Sequence, residues 1–144
     1  MSSDGSCTPY TDCSAHDAAA AALAAAEAAL EVAETNLENA QNLKDDLETE
    51  KNKTAELMNN YKSVYDTVNS VGHSVANPGN MNELSSCLEC LSGYGADVEA
   101  AYDQAVSEVS RCQAEVTRCQ NEVQQAQTTL ANTPCVTGCA YVIL

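Results

Sequence analysis

Apolar residues recur along residues 17–71 at alternating spacings of three and four, the heptad pattern of a helix packed along one stripe. One core position holds mostly leucine and the other mostly alanine, so two such helices could approach closely. Because neither glycine nor proline interrupts the stretch, it predicts a single helix on the order of 80 Å long. Lys44, Lys51 and Thr54 fall on the stripe and predict weaker packing there. The apolar members of this seam are Ala19, Leu23, Ala26, Leu30, Ala33, Leu37, Ala40, Leu47, Met58, Tyr61, Tyr65 and Val68.

A second heptad pattern occupies residues 96–131 and again alternates large and small core residues. Glycine and an Asn-Pro-Gly sequence predict the chain reversal between the two patterns, over residues 72–81. Gly93 and Gly95 favour a further break, so residues 82–91 are predicted to form a short separate helix. The seam positions of the second pattern are Val98, Tyr102, Ala105, Val109, Cys112, Val116, Cys119, Val123, Ala126 and Leu130.

The two ends of the chain lack helical periodicity. Residues 1–15 contain glycine and proline and are predicted to be irregular, and the spacing of Ser14 and Asp17 predicts a helix start. A proline ends the last helix, and residues 132–144 form a tail that finishes in a sequence typical of an extended strand. The predicted fold class is therefore all-α: a long antiparallel helical hairpin of coiled-coil type over residues 16–131, with short cysteine-bearing tails.

Four of the eight cysteines lie in the tails. In a hairpin the start of the first helix lies beside the end of the second, so Cys7 and Cys13 are expected near Cys135 and Cys139. Disulfides between the tails would close a long loop and stabilise the fold by roughly 3–5 kcal/mol. Zinc coordination by the same four thiolates is an alternative, although the usual Cys-x-x-Cys spacing is missing, and free thiols are a third.

The other four cysteines lie in predicted helices. Cys87 and Cys90 form a Cys-x-x-Cys sequence without the strand context of a redox motif, so a local disulfide or two ordinary thiols remain open. Cys112 and Cys119 are about 10 Å apart on the seam, too far to bond each other. They are expected to be buried reduced thiols that replace alanine, or else intermolecular thiols. A ladder of opposite charges runs beside them through Glu108, Arg111, Glu115, Arg118 and Glu122.

Composition excludes several classes of partner. With 21 acidic and 6 basic residues the formal net charge is −15, a surface that repels phosphate backbones and anionic lipids, so no nucleic-acid binding is expected. No stretch reaches the ~20 apolar residues of a membrane span, and no apolar run typical of a secretory signal is seen near Met1. Protein partners remain, including further copies of this chain.

Catalytic chemistry finds no support in the sequence. His16 and His73 are far apart, have no triad partner and are expected at the surface or as helix caps. Because no paired His, Cys and Asp constellation or phosphate loop is present, we expect no enzymatic activity, no cofactor and no metal.

Apolar residues also lie off the main seam, where a two-helix unit would leave them in water. Packing of identical subunits side by side would cover them, so the sequence predicts self-association. The residues concerned are Val32, Leu43, Leu57, Val64, Val71 and Val106.

The acidic, tryptophan-free hairpin resembles the small helical proteins exported by type VII secretion. It departs from them at the turn, which has no tryptophan, and at Tyr102, which is followed four residues later by Val106 instead of an acid. The resemblance implies a binding module or secretion adaptor. Our first expectation is a structural or assembly protein, a helical spacer or docking arm in a filament, virion, spore or secreted particle. Disulfides would place it in extracellular or otherwise oxidising surroundings.

Overall fold

Two long helices and two short strands make up the protein in the computed structural model, which describes residues 7–71 and 78–141, with backbone alone at 71, 78–80 and 141. The helices pack against each other, and the strands pair antiparallel. The predicted all-α helical hairpin is therefore confirmed. In chain order the elements are β1 (Cys7–Asp12), α1 (Ser14–Val71), α2 (Pro78–Ala131) and β2 (Val136–Tyr141).

The two strands come from the tails. The prediction of an irregular N-terminal segment is wrong for Cys7–Asp12, which forms β1, whereas the predicted extended C-terminal tail is confirmed for Val136–Tyr141. A two-stranded ribbon is marginal in water when isolated. Here the ends of α1 and α2 hold the two segments side by side, so each strand depends on a partner more than 120 residues away.

The predicted break between residues 91 and 96 is wrong, because α2 is continuous from Pro78 to Ala131. Each glycine in a helix interior costs about 1 kcal/mol relative to alanine, which is too little to outweigh packing along a long seam. Gly95 also faces α1 closely: a Cβ added there would lie 3.4 Å from Cγ2 of Thr54. The small residue therefore fits the helix contact instead of ending the helix.

The predicted turn over residues 72–81 is shorter at its C-terminal side, since α2 begins at Pro78. Proline suits the first turn of a helix because its missing N–H would have no helical acceptor there. Residues 72–77, including His73, lie outside the described residues, and the side chain of Val71 does too.

The contacts divide the chain into two compact units, one formed by residues 37–112 and the other by residues up to 36 together with those from 113. In the first unit the predicted seam is buried as expected, with Ala40, Val109 and Cys112 forming a cluster against Leu37. Thr54 is buried in the seam as well, and its hydroxyl donates to the Glu50 carbonyl at 2.7 Å. The remaining buried seam residues of this unit are Val98 and Ala105.

In the unit that contains the tails, predicted seam residues of both helices are buried. Ala19 and Ala33 are buried from α1, and Val116 and Cys119 from α2. The seam predicted from the heptads is thus buried in this unit also.

Candidate functional site

The tails form a ribbon in which β1 and β2 run antiparallel with Tyr10 opposite Gly138. A Cβ added to Gly138 would lie 2.6 Å from the hydroxyl oxygen of Tyr10 and 2.7 Å from two of its ring carbons, so the aromatic side chain rests directly on the glycine backbone. Any other residue type at this position would require the Tyr10 side chain to move. Sequence reasoning missed this contact; the threonine-rich and aromatic composition of β1 is the signal that could have indicated a strand.

Two disulfides cross-link the ribbon and the helix ends. Cys7 bonds Cys139, with their Cα atoms 5.4 Å apart, and Cys13 bonds Cys135, with their Cα atoms 4.3 Å apart. The predicted links between the tails are therefore confirmed. The zinc alternative is wrong, because all four sulfurs are consumed in covalent bonds and none is a thiolate ligand.

The start of α1 is capped by the residue that ends β1. The Ser14 hydroxyl and backbone amide both donate to Oδ1 of Asp12, at 2.6 and 2.9 Å, and these bonds lower the pKa of the Asp12 carboxyl. The helix start predicted from the spacing of Ser14 and Asp17 is confirmed, since α1 begins at Ser14. The amide of Asp17 donates to the Cys13 carbonyl at 2.7 Å, which is the first helical hydrogen bond of α1.

His16 links the two helices at the same end. Its Nδ1–H donates to the backbone carbonyl of Thr133 at 2.9 Å, just beyond the last residue of α2. A carbonyl oxygen only accepts, which fixes the proton on Nδ1. The predicted capping role of His16 is thus seen across the hairpin. We call the ribbon, its two disulfides and this contact the stapled end.

The described thiols of α2 fall into two environments. Cys112 and Cys119 are 3% and 1% exposed, so they are buried seam residues as one alternative predicted. The intermolecular alternative is wrong for this packing, because a thiol buried between two helices reaches no second chain unless they separate.

Cys87 and Cys90 are both free and exposed. The local disulfide considered as an alternative is absent because α2 is regular here. Cβ atoms three residues apart in a helix are about 5–6 Å apart, whereas a disulfide requires about 3.5–4.5 Å.

An apolar groove of about 300 Å³ lies beside these two thiols, between α1 and α2 in the unit of residues 37–112. It is lined by the thiols and by side chains of both helices, and we call it the thiol groove. Its members are Leu57, Tyr61, Ser86, Cys87, Cys90 and Leu91.

Two tyrosines of α2 contact charged residues of α1 in the segment where weaker packing was predicted. The ammonium of Lys51 lies 4.9 Å from the ring centroid of Tyr102, a cation–π geometry. Tyr94 donates to Oε1 of Glu50 at 2.7 Å, and this hydrogen bond raises the pKa of the Tyr94 phenol. Specific polar contacts therefore join the two helices in the segment where the sequence predicted weaker packing.

The predicted charge ladder on α2 is present. Arg111 pairs with Glu108, and Arg118 pairs with both Glu115 and Glu122. The Arg111 hydrogen bond lowers the pKa of Glu108, and the two carboxylates around Arg118 raise the pKa of its guanidinium. Because solvent screens such exposed pairs, each contributes little, and the ladder supports the helix more than any binding function.

Large apolar side chains remain in water on the outer faces, as the sequence predicted. Leu43, Leu57 and Val64 are 55%, 45% and 50% exposed, and they occupy one heptad position beside the seam of α1. Val32 and Val106 are exposed as well, at other heptad positions.

Within residues 7–71 and 78–141 no group of three or more His, Cys, Asp or Glu side chains is arranged to hold a metal ion. Neither described helix is apolar enough over a sufficient length to cross a membrane. Comparisons with protein-family models, with curated proteins and with solved structures found no match.

Proposed function

We propose that this protein is a non-enzymatic structural component that assembles with further copies of itself through the outer faces of its helices. The stapled end would serve as a fixed head and the paired helices as a spacer. The single observation that carries the proposal is the line of half-exposed apolar side chains at Leu43, Leu57 and Val64, all on one side of α1.

The energetics favour a shared interface over a solitary hairpin. Fully burying a leucine or valine side chain stabilises by about 1.5–3 kcal/mol, so burying the exposed half of each contributes about 1 kcal/mol. A two-fold pair of chains would bury six such side chains, a gain comparable to the lower estimates for the cost of association. Assembly through this face alone is therefore expected to be weak and to depend on concentration.

The net charge makes the proposed self-assembly depend on salt. Each chain carries a formal charge of −15, so copies repel one another at low salt. Screening shortens that repulsion to about 8 Å at physiological ionic strength, which lets apolar faces meet. The two disulfides support oxidising surroundings for the assembly, as in an extracellular filament or particle.

Sedimentation velocity tests the proposal. The experiment uses the double variant Cys87→Ser, Cys90→Ser, which cannot form covalent dimers through the exposed thiols. Reductant is left out so that the disulfides of the stapled end stay intact. We expect species larger than the monomer at high protein concentration, increasing with salt.

A triple variant of Leu43, Leu57 and Val64 to glutamine should be monomeric, whereas Val32→Gln, on a different heptad position, should assemble like its parent. A monomer at every salt concentration would contradict the proposal. That result would favour the alternative function, a binding module or secretion adaptor that docks on another protein.

A further inference from the structure

The exposed thiols Cys87 and Cys90 border the thiol groove, and their setting is unlike that of the other cysteines. The four tail cysteines are already in disulfides, and the two seam cysteines are buried. A protein whose tails are oxidised matures where exposed thiols also meet oxidants. Cys87 and Cys90 are the two described thiols that a reagent or a second chain can reach.

Helix geometry prevents these two thiols from bonding each other without distortion, as shown above. A two-fold arrangement of two antiparallel α2 helices resolves this constraint. In an isologous contact residue i meets residue j, and residue j meets residue i, so Cys87 of each chain lies opposite Cys90 of the other. Two disulfides could then form at once across the symmetry axis.

The local charge permits this approach. Between residues 81 and 96 the charged residues are Glu83 and Glu89. Because Tyr94 bonds Glu50, the neighbouring part of α1 is taken as residues 50–66, which hold three acidic and three basic residues: Glu50, Lys51, Lys53, Glu56, Lys62 and Asp66. These eight charges leave a net of −2, against −15 for the whole chain, so the surface around the thiol groove carries little of the protein's acidic charge.

The groove also supplies apolar contact at the same place. Leu57, 45% exposed, belongs both to the groove and to the line of apolar residues on α1. A second copy placed over the thiols would cover this side chain together with Tyr61 and Leu91, which line the groove.

We infer that Cys87 and Cys90 are the sites of reciprocal interchain disulfides that join two copies of this chain across the thiol groove. The inference rests on the proposed self-assembly and adds a covalent link to it. The weak apolar association of the outer faces brings the thiols together, and the two bonds make the pair persistent.

The chemistry balances with a low-molecular-weight disulfide, such as oxidised glutathione, as oxidant. The thiolate of Cys87 attacks one of its sulfurs, forming a mixed disulfide and releasing one small thiol. The thiolate of Cys90 from the second copy then attacks the Cys87 sulfur and releases the second small thiol. Each bond therefore removes two protons and two electrons from the protein and reduces one small disulfide.

The test mixes equal amounts of unlabelled and nitrogen-15-labelled protein and oxidises the mixture with oxidised glutathione. We expect dimers on non-reducing gels and, after digestion, Cys87–Cys90 peptides that combine one labelled and one unlabelled half. Linked peptides of one isotope only would mean that the bond is intrachain and would overturn the inference. A monomer carrying two glutathione adducts would overturn it as well.

A matched control moves the thiol pair by two heptads, to the helix positions of Ala101 and Gln104 in the Cys87→Ser, Cys90→Ser background. The spacing is the same, but Asp97, Glu99 and Asp103 surround the new site and the thiol groove is absent from it. We expect dimers to form about tenfold faster at the native positions. Equal rates would contradict a specific docking surface.

The sedimentation experiment separates the two proposals. If the serine variant assembles but the native protein forms no mixed-isotope dimer, the covalent link is wrong and the proposed function stands. If the serine variant is monomeric and native dimers still form, the disulfides alone join the chains and the proposed apolar face is wrong.

Discussion

The two disulfides of the stapled end are nested, and their removal should therefore be strongly non-additive. Cys13–Cys135 joins residues 122 positions apart, and Cys7–Cys139 joins residues 132 positions apart. Closing either loop first constrains the unfolded chain by about 5 kcal/mol in the loop-entropy relation. Once one is closed, the other completes only a small ring of residues 7–13 and 135–139, worth about 3 kcal/mol.

Each disulfide removed alone should consequently destabilise the protein by about 3 kcal/mol, whichever it is, because the remaining one still closes the long loop. Removing both should cost about 8 kcal/mol, more than the two single losses together. The changes are the paired replacements Cys7→Ser with Cys139→Ser, Cys13→Ser with Cys135→Ser, and all four. All are made in the Cys87→Ser, Cys90→Ser background, so that exposed thiols cannot exchange with the disulfides.

Urea unfolding followed by helical circular dichroism measures the free energy of unfolding for each variant. The background protein is the control and should match the native chain in which Cys87 and Cys90 have not been oxidised. The reasoning fails if removing one disulfide lowers the free energy of unfolding as much as removing both. That disulfide would then account for the whole entropic effect of closing the long loop. It also fails if the loss from both merely equals the sum of the single losses, because the loops would then behave as independent.

Three further outcomes follow from contacts in the structure. Gly93→Ala should stabilise the protein by up to about 1 kcal/mol in urea unfolding, because open space surrounds the added Cβ. Gly95→Ala should stabilise it less, because the added Cβ would lie 3.4 Å from Thr54 of α1. Equal gains would contradict the packing argument. Gly138→Ala should displace the Tyr10 ring, weaken the near-ultraviolet circular dichroism of tyrosine and lower the free energy of unfolding by about 1 kcal/mol. An unchanged spectrum would refute the contact. Folding lowers the pKa of Asp12, so its carboxylate stabilises the fold above the ordinary carboxyl pKa of 3.8, and this stabilisation is lost as the pH falls through the folded-state pKa. Asp12→Asn should therefore remove that part of the acid dependence of the thermal unfolding temperature. An unaltered dependence on pH would contradict the role of Asp12.

Heptad periodicity made the helices and their buried faces predictable. The seam positions inferred from spacing include the buried residues Ala40, Val109 and Cys112, because helical geometry alone decides which residues share a face. Hairpin topology then placed the tail cysteines together, so the disulfides followed from the order of the elements along the chain.

Local signals failed where their energies are small. The glycines at 93 and 95 favour a break by only about 1 kcal/mol each, and packing of α2 against α1 overrides them. The strand Cys7–Asp12 was missed because a single strand has no local hydrogen-bond partner, and its partner is more than 120 residues away.

The candidate site was only partly within reach of the sequence. The Cys-x-x-Cys spacing of Cys87 and Cys90 is visible in the sequence. The groove that these thiols share with Leu57 is not, because Leu57 lies far from them along the chain. The same applies to Tyr10 and Gly138, whose contact requires the register of the ribbon.

The sequence by itself determined the helical hairpin, its seam and the grouping of the tail cysteines, because these depend on periodicity and on the order of elements. Tertiary structure alone decided that Cys87 and Cys90 are free, exposed thiols beside a groove, whereas the burial of Cys112 and Cys119 was already expected from the seam. All four free thiols lie in one helix, and their exposure differs because α1 covers one face of that helix and leaves the other in water: Cys87, Cys90, Cys112 and Cys119. Burial is a property of the partner surface, and no local pattern of residues encodes it fully.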